Sequence, residues 1–354
     1  MADVVILGAG MMGSAFSFPL VDAGHAVRLV GTHLDREWIQ SVRETGIHPK
    51  LKMKLPGAVA PFTHDQLGEA LSLSPDLIVL GVNSAGVDWA VQQLGPLLAG
   101  PTPILMLTKG LRARENTLQI LPVIVRDGLA SHGVKNVPVG GVAGPCIAGE
   151  LAARRDSSVV ITYADAQLLD RILGLVAAPY YHARPSTDIV GVEVCAGFKN
   201  LYALAVGYPA GLLAKQGEAP DRPRAHNLAA ALFAQALGEI RYVVGFLGGK
   251  LASVDGLPGT GDLYVTCQGG RNVRIGYLLG TGLRFSQART EYGSTETIEG
   301  AQFALAVGPT MEGLFEQGRL KRQALPLAGA ILDAICHDVP LQIPWTAFHR
   351  EANA

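Results

Sequence analysis

The first half of the chain alternates short apolar, β-branched runs with segments of helical length: DVVIL (3–7), AVRLV (26–30), DLIVLG (76–81), PILML (103–107), VPVGGVA (137–143) and SVVITY (158–163). Continuous apolar runs fit strands covered on both faces, and the long spacers between them fit a parallel α/β sheet. After about Ser186 the rhythm changes. The stretches 190–207, 226–247, 262–280 and 325–336 are helical in length, rich in Ala and Leu, and carry no recurring strand signal. The pattern predicts an α/β domain over residues 1–185 followed by an all-α domain over 186–354. A segment bearing Pro and Arg, Tyr208 to Arg224, interrupts the helical half and is expected to be a loop that folds over a site.

A length of 354 residues accommodates two domains with a substantial core. Charged residues make up 17% and hydrophobic ones 49%, where soluble domains usually carry about 25% charged residues. Burial of surface between subunits would account for the difference. The balance of 29 Lys+Arg against 30 Asp+Glu leaves a net charge of -1, which offers no overall attraction for nucleic acid or an acidic membrane. The four cysteines, Cys146, Cys195, Cys267 and Cys336, are far apart and form no CxxC, so neither a metal site nor a disulfide framework is expected. No charged leader precedes an apolar segment, and no run approaches the roughly 18 apolar residues of a membrane span. The expectation is a cytoplasmic protein without membrane insertion.

Gly8, Gly10 and Gly13 form GAGMMG directly after DVVIL and before a predicted helix, Ser14 to Ala23. In that context the first glycine permits a tight turn, the second lets a pyrophosphate approach the backbone, and the third allows helix to pack on strand. The helix N-terminus then presents N–H groups and the positive end of its dipole to phosphates. A ribose-binding acid is expected about 20 residues on, at the end of the second strand. The chain there reads Val30-Gly31-Thr32-His33-Leu34-Asp35-Arg36. Asp35 is slightly late, and Arg36 or His33 equally suits a 2′-phosphate, so NAD and NADP both remain open.

Lysines stand in unusual places. GVEVCAGFKNLYALAVG (191–207) reads as a helix of small and apolar residues, yet carries Lys199 and Asn200 at its centre. A lysine there must snorkel, pair (Glu193 is one candidate) or lose its charge, and a lowered pKa suits a general acid/base. Lys109 follows PILML within Thr108-Lys109-Gly110, at the carboxyl end of a strand, where open α/β sheets bind ligands. The segment GTGDLYVTCQGGRN (259–272) supplies Asp262, which can orient an amine or cap a helix, together with Thr266 and the Arg271-Asn272 pair. An arginine fork beside an amide can grip a phosphate, although packing and plain surface charge explain the same residues.

Taken together, GAGMMG, TKG (108–110), GPCIAGE (144–150), DIVGVEVCAGFKN (188–200), GDLYVTCQGGRN (261–272) and IEG (298–300) resemble, in order and spacing over nearly the whole chain, the NAD(P)-dependent glycerol-3-phosphate dehydrogenases. The resemblance implies a Rossmann domain, an α-helical substrate domain and usually a homodimer. It implies a small phosphorylated substrate, reversible hydride transfer between NAD(P)H and glycerone phosphate, and Lys199 as the general acid/base. Lys109 would touch the substrate oxygen near the nicotinamide, Asp262 and Thr266 would complete the polar site around Lys199 and Asn200, and Arg271 and Asn272 would hold the phosphate. Gly144 and Cys146 fall where the family binds substrate. The cofactor would meet Gly8, Gly10, Met11, Met12, Gly13, His33, Lys109, Ala148, Arg271 and Glu299.

The chain departs from the family at Cys146, where Ser or Thr is usual, at Val82-Asn83-Ser84, at His48-Pro49-Lys50-Leu51 and at Ala225-His226-Asn227-Leu228. These changes spare the hydride and proton machinery and bear on the substrate. Another phosphorylated ketose or polyol is the alternative they leave open.

Overall fold

A computed structural model describes residues 1–114, 116–217, 225–294 and 296–348. Its strands are β1 (Asp3–Leu7), β2 (Ala26–Val30), β3 (Ile47–His48), β4 (Met53–Lys54), β5 (Val59–Phe62), β6 (Leu77–Leu80), β7 (Ile104–Met106), β8 (Leu111–Arg114), β9 (Thr117–Ile120), β10 (Val139–Ala143), β11 (Ser157–Thr162) and β12 (Tyr181–Ser186). Eight of them form one sheet in the order β12-β11-β10-β7-β6-β1-β2-β5, and β3-β4 and β8-β9 form two small hairpins. Pairing in the main sheet is parallel except between β10 and β11. The chain winds outward from β1 to β2 and β5, then returns to the other side of β1 through β6 and β7. That reversal opens a crevice at the carboxyl ends of β1 and β6.

The unbroken apolar runs are explained by burial on both faces. In β1, Val4 and Ile6 join one hydrophobic cluster while Val5 and Leu7 join the other; in β6, Leu77 and Val79 alternate with Ile78 and Leu80 in the same way. Each layer is roofed by helices, so the buried positions of these strands are all apolar, and the one charged residue, Asp3, stands at the partly exposed start of β1.

The chain forms two compact units, Met1–Lys109 with Ile120–Glu193, and Gly110–Gln119 with Val194–Ala354. The sequence reading divides the chain at 185/186. In the structure the first turn of the long helix Ile189–Lys215 groups with the sheet, and the β8-β9 hairpin groups with the helices and packs on the Glu299–Glu316 helix.

Two segments differ from their sequence reading. The first half of the expected loop at Tyr208 to Arg224 is helix, because the long helix runs on to Lys215 through Pro209; residues 218–224 lie outside the described ones. Proline removes one helical hydrogen bond, but the helix is held there by close backbone contact. A Cβ on Gly207 would lie 2.2 Å from the Val273 carbonyl oxygen, and one on Gly211 would lie 1.8 Å from that of Tyr277. Reciprocally, Gly276 and Gly280 of the helix Arg271–Gly280 would meet the carbonyls of Leu204 and Tyr208 at 1.9 and 2.1 Å. The expected helix 262–280 is two helices, Asp262–Cys267 and Arg271–Gly280, separated at Gly270, whose φ of +91° no L-residue adopts readily.

Among the described residues two helices reach the length and apolarity of a membrane span, Ile189–Lys215 and His226–Phe246. Of the most apolar 18 residues of the first, 78% are buried inside the chain, as in a core helix; of those of the second only 33% are, and it presents much of its Ala-rich surface outward. The carboxyl of Glu239, on the inner side of this second helix, accepts bonds from the backbone N–H groups of Leu327 and Ala328, from Tyr202 Oη and from Gln235. It thereby supplies the first turn of the helix Pro326–Cys336 with the acceptors its N–H groups lack.

The loop after β1 is braced on both sides of one residue, Ala9. Asp35, 6% exposed, takes the Ala9 N–H on Oδ2 at 3.1 Å. His48 is fully buried with Nε2 2.8 Å from the Ala9 carbonyl oxygen, while its Nδ1 accepts from the Leu51 N–H at 3.1 Å. This arrangement requires a neutral ring with its proton on Nε2. Burial holds the His48 pKa below its ordinary value. An unfolded histidine takes up a proton below about pH 6.5, so this stabilisation is complete above that pH and is lost as pH falls through the lower folded value. Chemical denaturation between pH 7 and pH 5 is therefore expected to show falling stability in the parent protein. His48→Gln, which retains a donor for Ala9 but does not titrate, should fall less steeply; equal slopes would remove His48 from this account.

Candidate functional site

In the first unit, the loop between β1 and the helix Met11–Asp22 contains the three glycines, each for a different reason. Gly8 has φ +113°, and a Cβ there would lie 2.6 Å from the Gly81 carbonyl carbon. Gly13 allows the helix to rest on the strand, since its Cβ would meet the Gly8 carbonyl oxygen at 2.1 Å. At Gly10 the nearest atom to an added Cβ is 3.8 Å away. That open side is where a bulky group can reach the backbone. No side chain caps the Met11–Asp22 helix, so the N–H groups of Met11, Met12 and Gly13 are presented by its first turn. The cradle fits a dinucleotide pyrophosphate. His33, exposed at the end of β2, packs edge-on against Trp89 and His64 at 5.6 and 6.5 Å.

At the carboxyl ends of the neighbouring strands, Thr108 donates through Oγ1 to the Val82 carbonyl at 2.7 Å and so ties the segment after β7 to the one after β6. Lys109 follows directly. Gly144, with φ +122°, ends β10 and leads through Cys146 to Ala148, the first residue of the helix Ala148–Ala152. Glu193 is an unanticipated member of this region. Its carboxyl is fully buried, neither oxygen accepts a hydrogen bond, and it fits only because residue 141 is glycine: a Cβ there would be 2.0 Å from Oε1. Burial pushes its pKa up to about 8, opposed by the positive charge of Lys109.

The second unit brings together seven polar residues from four helices. Lys199 lies midway along the long helix between Phe198, fully buried, and Asn200. Its Nζ donates to Asp262 Oδ1 and, at 3.1 Å, to Thr266 Oγ1. The lysine side chain is 11% exposed and the aspartate 1%, so the acid is sealed in and the lysine keeps a narrow access to the surface. Thr266 in turn donates to the Asp262 carbonyl at 2.6 Å, which fixes its oxygen lone pairs towards the amine. Asp262 opens its helix directly after a wide π-type turn, Leu257–Gly261. The N-cap position of this helix falls on Gly261, and the Asp262 carboxylate, one residue further on, accepts from Lys199. The Glu193 pairing considered for Lys199 is absent, because the Glu193 oxygens accept nothing. Burial raises the neighbouring Cys267 thiol to about 12, against the pull of Lys199, which keeps it a neutral thiol.

Beyond the amine, Asn272 is buried and its amide is engaged on both ends: Nδ2 donates to Asn200 Oδ1 at 3.1 Å, and Oδ1 accepts the Gly300 N–H at 2.9 Å. It fixes the spacing of three helices. Arg271 is more open, 41% exposed, with its guanidinium on Glu299 Oε1 and 4.0 Å from Glu296. The sequence motifs thus bring Lys199, Asn200, Asp262, Thr266, Arg271, Asn272 and Glu299 into one neighbourhood of the second unit. The bracing residues Asp35 and His48 carried no such local signal, since their partner Ala9 is 26 and 39 residues away.

Comparison with known proteins agrees with this arrangement. Residues 3–169 match the model for the N-terminus of NAD-dependent glycerol-3-phosphate dehydrogenase, and residues 188–342 match that for its C-terminus. The NADP(+)-dependent glycerol-3-phosphate dehydrogenase of Archaeoglobus fulgidus is 33% identical over 81% of this chain and 83% of its own length. The glycerol-3-phosphate dehydrogenase [NAD(P)+] of Shouchella clausii is 29% identical over 88% of each chain. The crystal structure of glycerol-3-phosphate dehydrogenase from Coxiella burnetii superposes with a TM-score of 0.79 at 25% identity, covering 98% of this chain and 97% of that one. With both halves matched in order, and with the amine, acid and guanidinium all in the matched segments, the chain belongs to the NAD-dependent glycerol-3-phosphate dehydrogenase family of oxidoreductases.

Proposed function

We propose that the chain interconverts glycerone phosphate and glycerol 3-phosphate, with the first domain taking NAD(P) and the second the substrate. The observation that carries this reading is the seat of Lys199, an amine set in apolar helix and fixed by Asp262 and Thr266. When bound, the nicotinamide supplies a hydride to C2 of glycerone phosphate or accepts one from C2 of glycerol 3-phosphate. In the reducing direction Lys199 gives a proton from Nζ to the C2 oxygen, and in the oxidising direction it takes that proton back. Asp262 and Thr266 hold the nitrogen in place for the proton transfer, and Lys109 adds a second positive charge for the developing alkoxide. Asn200 fixes the substrate beside the amine, and Asn272 holds Asn200 in place.

For the phosphate we assign Arg271, supported by Asn272. The guanidinium already faces a carboxylate, Glu299, and its partial exposure lets a dianionic ester share or replace that partner through the same planar fork. Gly144 and Cys146 are assigned to substrate, and Gly8, Gly10, Met11, Met12, Gly13, His33, Ala148 and Glu299 to the cofactor. The assignment to cytoplasm rests on four thiols, none of them in a disulfide.

We further infer a homodimer. The helix His226–Phe246 is apolar enough to span a membrane yet only 33% of its most apolar 18 residues are buried within its own chain, and the whole sequence is poor in charge. A second copy covering this face accounts for both facts.

With NADH or NADPH, glycerone phosphate should support rapid oxidation of the cofactor and unphosphorylated dihydroxyacetone almost none. Lys199→Ala should lower kcat by about 10²–10⁴-fold while fluorescence titration still shows cofactor binding; preserved turnover would defeat the role given to the amine. Arg271→Ala should raise KM for glycerone phosphate at least tenfold and leave the residual rate with dihydroxyacetone unchanged, and a parallel loss with both would contradict a phosphate grip. Light scattering during gel filtration should return twice the chain mass, whereas a monomer would leave the open helix face without a partner.

A further inference from the structure

The carboxyl of Glu193 weakens the fold where it stands. It is fully buried, neither oxygen accepts a hydrogen bond among the described residues, and β10 forgoes a side chain at Gly141 to make room for it. A methionine would fill the same volume without leaving a polar group unsatisfied, so packing gives no reason for an acid here.

Its surroundings supply one. Met106 of β7, Gly141 of β10 and Thr162 of β11 stand in one row across the sheet, so their side chains share the face on which the carboxyl rests. Thr162 Oγ1 is also buried and without a hydrogen bond among the described residues, so nothing ties the carboxyl to this shelf. Neither β10 nor β11 contains a titratable residue. On the helix of Glu193 itself, Asp188 accepts the Gly191 N–H at 3.0 Å, and Cys195 is a buried thiol. The charge that acts on Glu193 is that of Lys109, three residues past Met106 at the carboxyl end of β7.

A carboxylate deprived of both water and hydrogen-bond donors is far less stable than the neutral acid. Glu193 therefore keeps its proton at neutral pH, burial raising its pKa to about 8 against the pull of Lys109. In that state the whole charge of Lys109 is available to a substrate oxygen. Once the proton passes to solvent, carboxylate and ammonium attract each other and the pair carries no net charge. Resting on the reaction proposed above, we propose that Glu193 is a positioning residue acting through Lys109: as a neutral acid it leaves the ammonium to the reacting oxygen, and as a carboxylate it withdraws it.

The pH dependence of kcat/KM for glycerone phosphate, measured on the full chain between about pH 6.5 and 9.5, tests this together with infrared spectroscopy. Reduction by the parent should decline with an apparent pKa near 8. Glu193→Gln and Glu193→Met cannot ionise; they should match the parent within about threefold at pH 7 and move the decline up by about one unit, towards the range of the lysines. Adding Glu193→Gln to Lys109→Met should leave the profile of the single variant unchanged. Without any turnover, the infrared difference between parent and Glu193→Gln at pH 7 should contain the carbonyl absorption of an un-ionised carboxylic acid. A decline at one pH in parent and both variants, a shift that survives in the Lys109→Met background, or a carboxylate in place of the acid in the spectrum overturns the proposal and leaves the dehydrogenase reading standing. A parent that shows the acid band but does not reduce glycerone phosphate overturns the reaction, and this role with it.

Discussion

A primary amine inside a wall of apolar helix persists because an acid is buried with it. Lys199 and Asp262 are each almost wholly withdrawn from water, and either alone would be an uncompensated charge. Their partnership makes demands on the surrounding backbone. Asp262 must arrive at the amine from a separate helix, so that helix begins directly after the wide turn Leu257–Gly261, where Gly259 crowds the Val254 carbonyl so closely that its Cβ would come within 2.2 Å of that oxygen. Thr266, one helical turn later, reaches the same nitrogen. The ion pair, the wide turn and the glycine form one device.

The nucleotide end of the first unit relies on a different economy of contacts. A glycine-rich turn is inherently mobile because glycine leaves the backbone few steric constraints. Here one residue, Ala9, is clamped by Asp35 on its N–H and by His48 on its carbonyl. Freedom is kept at Gly10, where the backbone stays open, and removed at the neighbouring residue. Preorganised N–H groups need no rearrangement when an anion arrives.

How much of this is legible in the sequence differs by distance along the chain. The six strands of the apolar runs and the placement of GAGMMG are legible because they depend on local period and turn chemistry. The lysine of the long helix is legible because a charge among small apolar residues is locally inconsistent. The course of that helix through Pro209 is not, since it depends on Gly276 and Gly280 of another helix far along the chain. The same holds for β5 and β12, short edge-region strands whose residues include Pro61 and Pro185, and for the helix Glu299–Glu316, which is punctuated by glycine and by Pro309. Partners of buried polar groups are the least legible. Nothing near Asp35 indicates Ala9, and nothing near Glu193 indicates that residue 141 must lack a side chain.

The two glycine pairs, Gly207 with Gly211 and Gly276 with Gly280, let a long helix and a short one touch main chain to main chain. Such a seam has no cushion of side-chain atoms, so neither helix can slide or tilt to absorb a change elsewhere. Lys199 stands on one of these helices and Arg271 with Asn272 begins the other. The interval between the proton-transfer group and the anion-gripping group is thereby a rigid ruler. Any widening of the range of molecules handled must come from replacing side chains around that ruler, never from stretching it.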